Sequence, residues 1–201
     1  MVKIGITGSI ASGKTTVSKL ISKGRGPLFN ADRIVQKLYK KRSFKKLIAK
    51  KLKFKFNLKF KKELKVSILK NHNNLKKIED IIHPLVRKEM LKFLRNNKDK
   101  NFLFLEIPLL VENKLTSYFD RIIFIKSNKN LRLKRYKLSG GNHKMFNLLD
   151  SKQIKDTKKM KICDHVIVNN KTISILKKKL SIILSSHEWD IFRHRNNRSF
   201  I

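Results

Sequence analysis

Residues 8–15 read Gly-Ser-Ile-Ala-Ser-Gly-Lys-Thr, two glycines framing four residues ahead of a Lys-Thr pair. No other stretch limits so tightly what the chain can fold into. Glycine lets successive backbone N–H groups turn inward around a polyphosphate, and a helix that starts at the end of such a loop adds its own unpaired N–H groups and partial positive charge. The flanks agree: Val2 to Ile6 is a short β-branched apolar run, and Val17, Leu20 and Ile21 recur at helical spacing. The segment therefore predicts strand, phosphate-binding loop, helix. Gly8, Ala11, Ser12, Gly13, Lys14, Thr15 and Thr16 are its candidate nucleotide-binding residues. In such a loop the lysine reaches the β- and γ-phosphate oxygens, and the threonine hydroxyl serves Mg²⁺.

A chain of 201 residues is one compact domain with room for an inserted subdomain, and 40% apolar residues with 13 phenylalanines supply a core. The lone Cys163 cannot form an intramolecular disulfide, and the first residues show no basic region leading into a long apolar stretch. A reducing, cytoplasmic setting is expected. The most apolar run, Phe102 to Val111, is interrupted by Glu106 and Pro108, which argues against a membrane span. The net charge of +36 invites a nucleic-acid partner, but 39 of the 50 basic residues are lysines spread along the whole chain. That distribution reads as compositional drift, and no dedicated nucleic-acid partner is expected.

Leu28-Phe29 reads as a second strand, and Asp32 stands where a helix carrying Ile34, Val35 and Leu38 begins. From Ser43 to about Lys98 the apolar residues keep three-four spacing, which predicts an α-helical insertion. Phe102–Leu105 and Arg121–Ile125 are continuous runs suited to parallel strands buried on both faces. A Lys-rich helix follows Leu131, Ser139-Gly140-Gly141-Asn142 interrupts it, and 148–160 reads as one further helix. Residues 164–169 predict a last strand and 173–184 a closing amphipathic helix. The fold expected is α/β: a parallel sheet of about five strands with helices on both faces and the nucleotide at the carboxyl ends of the strands.

A phosphate loop alone does not separate kinases, GTPases and motors. The chain lacks the Asn-Lys-x-Asp base-reading motif of a GTPase and the length of a motor. Asp32, seventeen residues after Thr15, suits an acceptor-side carboxylate, or equally a helix cap. Five segments then occur in order: Thr7–Val17, Asn30-Ala31-Asp32, His83-Pro84-Leu85-Val86-Arg87, Ile107-Pro108-Leu109-Leu110-Val111-Glu112 and Asp164–Asn170. Together, over roughly residues 1–186, they resemble the dephospho-CoA kinases.

The resemblance implies transfer of the ATP γ-phosphoryl group to the ribose 3′-hydroxyl of dephospho-CoA, the last step of coenzyme A biosynthesis, with Mg²⁺. It divides the chain into a kinase core (1–40, 100–134, 162–186), a helical CoA-binding insertion (41–99), a lid (135–161) and a tail (187–201). Asp32 matches the second aspartate of the family's Asp-Ala-Asp motif, so it is the candidate to orient or deprotonate the attacking hydroxyl. Asn30 stands where the family has the first aspartate. His83 and Arg87, four apart on the helix that follows the insertion, are implied acceptor contacts, though capping and surface charge explain them as well. Glu106 is a candidate partner for Mg²⁺, Glu112 a structural residue, and Asn169 and Asn170 either flank the adenine or make a turn. Arg135 resembles the lid arginine that clamps the transferring phosphate, and stands alone where relatives tend to carry further arginines. The rival readings are another phosphate-loop small-molecule kinase and a basic phosphate-loop protein that binds nucleic acid.

Overall fold

In the computed structural model, which describes residues 1–185, five strands form one wholly parallel sheet. They are β1 (Val2–Gly8), β2 (Leu28–Asn30), β3 (Phe102–Glu106), β4 (Arg121–Lys126) and β5 (His165–Val168), in the order β2-β3-β1-β4-β5. The central β1 pairs Ile4 with Phe104 on one side and Ile6 with Ile123 on the other. Burial of β3 and β4 on both faces explains why they read as unbroken apolar runs, whereas the edge strand β5 leaves Val166 and Val168 exposed. Because all strands run the same way, Gly8, Asn30, Glu106, Lys126 and Val168 end at one edge of the sheet. In an open parallel sheet this carboxyl edge is where a ligand is received.

The chain divides into two compact units: Met1–Asn30 together with the chain from Asn97 onward, and Ala31–Asn96. The first holds the sheet with α1 (Lys14–Ser22), α6 (Lys129–Leu138), α7 (His143–Ser151), α8 (Asp156–Met160) and α9 (Ile173–Ser185). Val17 and Ile21 of α1 and Leu176 and Leu180 of α9 pack with Ile4, Ile6, Phe104, Ile123, Ile125 and Ile167, so these two helices share one core with the sheet. The second unit is helical throughout: α2 (Ala31–Lys40), α3 (Arg42–Lys51), α4 (Phe60–Lys70) and α5 (Asn73–Asn96). Among the described residues no helix is long and apolar enough to cross a membrane.

Three details differ from the sequence reading. The boundary read at 40/41 falls at 30/31, because α2 packs with α3 and α5. The Tyr39 ring meets Phe44 edge-on at 5.2 Å and lies 6.3 Å from Phe60, tying it to the helical unit. His83 and Arg87 sit inside the 24-residue α5, which tolerates Pro84 in its interior and belongs to the insertion itself. The helix read over 148–160 breaks at 152–155, where the backbone N–H of Ile154 leaves the helical ladder to donate to Glu112. The tail at 187–201 lies outside the described residues.

Phe104 is fully buried at the middle of the sheet, against β1 and α1. Phe104→Ala should therefore lower unfolding stability by about 3–5 kcal/mol, the cost of lost transfer energy plus the cavity left behind, as read from urea denaturation.

Candidate functional site

The loop between β1 and α1 is shaped by two left-handed residues, Ala11 (φ 56°) and Gly13 (φ 93°). At Gly13 the need for glycine is steric as well: a Cβ there would run into the side-chain amide of Asn169. Gly13 caps α1 without a side-chain hydrogen bond, and the first turn of α1 carries no acidic residue. The helix thus begins with amide donors and positive potential facing the loop, which is what an anion needs.

Lys14 is buried beneath this turn, its ammonium donating to the carbonyls of Gly8 and Ser9, each at 3.0 Å. Ser9 O also accepts from the Ser12 amide at 3.1 Å. Outside the loop, Asn169 Nδ2 donates to Ser12 O at 2.9 Å, Arg135 approaches the same oxygen at 3.4 Å, and Arg132 approaches Ile10 O at 3.4 Å. Each of these loop carbonyls thus has a donor.

At the neighbouring end of β3, Glu106 is almost fully buried and gathers three donors. Thr15 Oγ1 reaches its Oε1 at 2.6 Å, Ser18 Oγ its Oε2 at 2.8 Å, and Asn30 Nδ2 the same Oε2. This cluster joins β2, β3 and α1. Asn30, the departure from the resembled motif, donates to the carboxylate; an aspartate there would confront it with a second negative charge.

The structure brings Gly8, Ala11, Ser12, Gly13, Lys14, Thr15, Thr16, Glu106, Arg135 and Asn169 together in the first unit. Asn170 lies beside them, its side chain exchanging hydrogen bonds with Asn128. Asp32, His83 and Arg87 belong to the helical unit. Asp32 is exposed in the first turn of α2, two residues along the chain from Asn30. His83 is held below the usual imidazole range by burial, with Arg87 adding to the effect and Asp80 opposing it. Arg135 is partly desolvated, which lowers its pKa without discharging it.

Arg135 remains the only arginine between 135 and 161, and a second arginine stands just ahead of that segment. Arg132, one turn earlier on α6, is buried with Nε on Ser127 O at 3.1 Å and NH1 on Asp150 at 2.6 Å, its guanidinium 5.6 Å from the centre of the Phe146 ring. Arg135 itself bonds Ser127 Oγ at 3.1 Å and Asn169 O at 3.2 Å. Ser18, Arg132, Gln153 and Asp156 were missed in the sequence. For Ser18 a signal existed, a serine one turn after Thr15 within the apolar stripe of α1; the other three lie far from the loop in sequence and carry none.

A family model described as dephospho-CoA kinase matches residues 2–174. Dephospho-CoA kinase of Bartonella henselae is 31% identical over 188 residues, covering 91% of this chain and 96% of that protein. The crystal structure of Thermus thermophilus TT1252 superposes with a TM-score of 0.70 at 26% identity, covering 92% of this chain and 96% of that one. Dephospho-CoA kinase from Campylobacter jejuni shares the fold at a TM-score of 0.61 and 24% identity, with 90% and 94% of the two chains covered.

The Glu106 cluster makes a prediction of its own. Asn30→Asp should cost on the order of 1–3 kcal/mol of stability near pH 8 without divalent cation, because a buried donor is exchanged for a like charge. A carboxyl whose pKa is raised in the fold destabilises as pH rises above its unfolded value, so the deficit should disappear near pH 3. Denaturation curves at the two pH values check it.

Proposed function

The chain belongs to the dephospho-CoA kinase family, and on that premise we propose that the loop at 8–16, Glu106, Arg135 and Asp32 divide the work of phosphoryl transfer. As a member of that family it is an ATP-dependent kinase that moves the γ-phosphoryl group of ATP to dephospho-CoA, giving CoA and ADP. The observation that carries the residue assignment is Lys14, buried under the loop on two carbonyl oxygens beside a helix start that lacks a side-chain cap. Such an ammonium can exchange carbonyl for phosphate oxygens without leaving the loop.

In this reading the loop amides and Lys14 bind the β- and γ-phosphates and stabilise charge on the transferring group. Arg135, held between Ser127 and Asn169, adds a planar donor at the loop's rim and helps exclude water. Asp32 accepts the proton of the ribose 3′-hydroxyl while that oxygen bonds to the γ-phosphorus and the bond to the β–γ bridging oxygen breaks, releasing ADP. His83, largely neutral at pH 7, and Arg87 contribute acceptor contacts from α5. Asn169 and Asn170 close the adenine side, Asn169 also bracing Ser12.

The donor set fits Mg²⁺: a threonine hydroxyl whose proton is already directed to Glu106, leaving its lone pairs outward, and a buried carboxylate behind it. Thr15 would hold the ion directly and Glu106 through water. The bound ion would neutralise phosphate charge. Among the described residues no group of three His, Cys, Asp or Glu side chains stands ready for a metal, in keeping with an ion that relies on substrate phosphates. We place the reaction in the cytoplasm, where the lone Cys163 stays reduced.

Two substitutions test the assignment. Lys14→Ala should abolish ADP formation with dephospho-CoA while leaving the thermal unfolding transition cooperative, since it removes the partner of the phosphate charge and two loop hydrogen bonds but no part of the hydrophobic core. Asp32→Asn should lower kcat by about 10²–10⁴-fold with ATP affinity nearly unchanged, because a base acts in the transition state. Turnover within threefold of the parent would reduce Asp32 to a helix-end residue.

A further inference from the structure

The peptide unit joining Ser9 to Ile10 is pinned from both ends. Its carbonyl, on Ser9, accepts from the Lys14 ammonium at 3.0 Å, and its N–H, on Ile10, donates to Gln153 Oε1 at 3.0 Å. An amide is planar, so fixing the direction of the N–H fixes the direction of the carbonyl. Gln153 therefore aims the oxygen that holds the lysine.

Gln153 lies in the 152–155 link between α7 and α8, and that link is itself anchored. Glu112, beyond β3, accepts from the Ile154 N–H at 3.2 Å, and its Oε1 lies 2.5 Å from the ammonium of Lys159 on α8, a lysine with no exposed surface. Asp156, the first residue of α8, accepts from Ser9 Oγ. A buried ion pair is a poor source of net stability, but it is intolerant of displacement, because either charge left alone in the interior is costly. Its effect here is to fix where the link sits, and with it the side chain of Gln153.

We propose that Gln153 is a positioning residue for phosphoryl transfer, acting through the Ser9–Ile10 peptide to hold Lys14 in register, with the Glu112–Lys159 pair as the anchor of its own segment. The proposal rests on Lys14 being the lysine that meets the phosphates. A displacement of about 1 Å in such a group can cost up to 10²-fold in rate.

The experiment uses the full chain with Gln153→Met, which keeps the length and removes the acceptor, and Gln153→Glu, which keeps an acceptor. In Gln153→Met, NMR-resolved exchange of the Ile10 amide should speed up by about tenfold or more, ATP affinity by calorimetry should weaken several-fold, and kcat should fall about tenfold or more with the KM for dephospho-CoA within threefold. Gln153→Glu should keep slow Ile10 exchange and a kcat within about threefold of the parent, with a raised KM for ATP from the added charge. A general packing role would not be rescued in this way. Unchanged Ile10 exchange and kcat in Gln153→Met would overturn the proposal. So would tighter ATP binding with undiminished kcat, which would make Gln153 a competitor of the phosphates. Should the parent chain bind ATP yet form no CoA, the reading of the acceptor fails, while Ile10 exchange and ATP affinity still decide the role of Gln153.

Discussion

A loop that binds phosphate through its backbone must turn N–H groups toward the anion, and the carbonyls that this turns the other way need donors of their own. In this chain one of those donors, Lys14, belongs to the loop motif itself, and the others come from elements brought in by the fold. Lys14 serves Gly8 and Ser9, Arg132 approaches Ile10, and Asn169 with Arg135 serves Ser12. The consequence reaches past the loop. Asn169 follows the last strand, Arg132 and Arg135 lie on α6, and Gln153 lies between α7 and α8, so the segments after β4 are organised around holding a single turn.

The charge balance makes the use of acids conspicuous. Against 50 basic residues the chain has only 14 acidic ones, and many of these make specific tertiary bonds. Asp120 accepts from the Lys3 amide at 2.7 Å and Asp164 from the Ile122 amide at 2.8 Å, so that each fixes the start of a strand. Asp150 orients Arg132, Glu112 anchors the 152–155 link, and Glu106 gathers Thr15, Ser18 and Asn30. Surface pairs such as Asp99 with Lys100 add little, because solvent and salt screen them. With so much like charge on the surface, the carboxylates that remain do their work as local anchors. Cys163 shares this setting: burial, with Asp164 and Glu112 nearby, pushes its thiol up to about 11 despite the opposing Lys159, which leaves it an unreactive small packing group at neutral pH.

What was legible in the sequence follows from local rules. The loop at 8–15 could be read because glycine placement, a β-branched run before it and three-four spacing after it are all local constraints on backbone conformation. The strands at 102–106 and 121–126 could be read because burial on both faces demands an unbroken apolar run. The break at 152–155 was illegible, since no proline or glycine marks it; a hydrogen bond to Glu112, some forty residues earlier in the chain, ends the helical pattern there. The placement of α2 with the helical unit was equally hidden, because Tyr39, Phe44 and Phe60 announce helical spacing but not which helices they join.

By itself the sequence determined that a phosphate loop sits between a strand and a helix in a parallel α/β fold, and it carried the motifs that resemble one kinase family, because those features depend on residues close together along the chain. Only the tertiary structure decided that Asn30 completes a cage of donors around Glu106, that Asp150 fixes Arg132, and that Gln153 holds the peptide facing Lys14. Each of these is a hydrogen bond or ion pair between residues separated by 18 to 143 positions, set by how helices and strands pack. No local periodicity encodes such a distance, because the direction of a side chain across a packed interface is fixed by the elements on both sides of it.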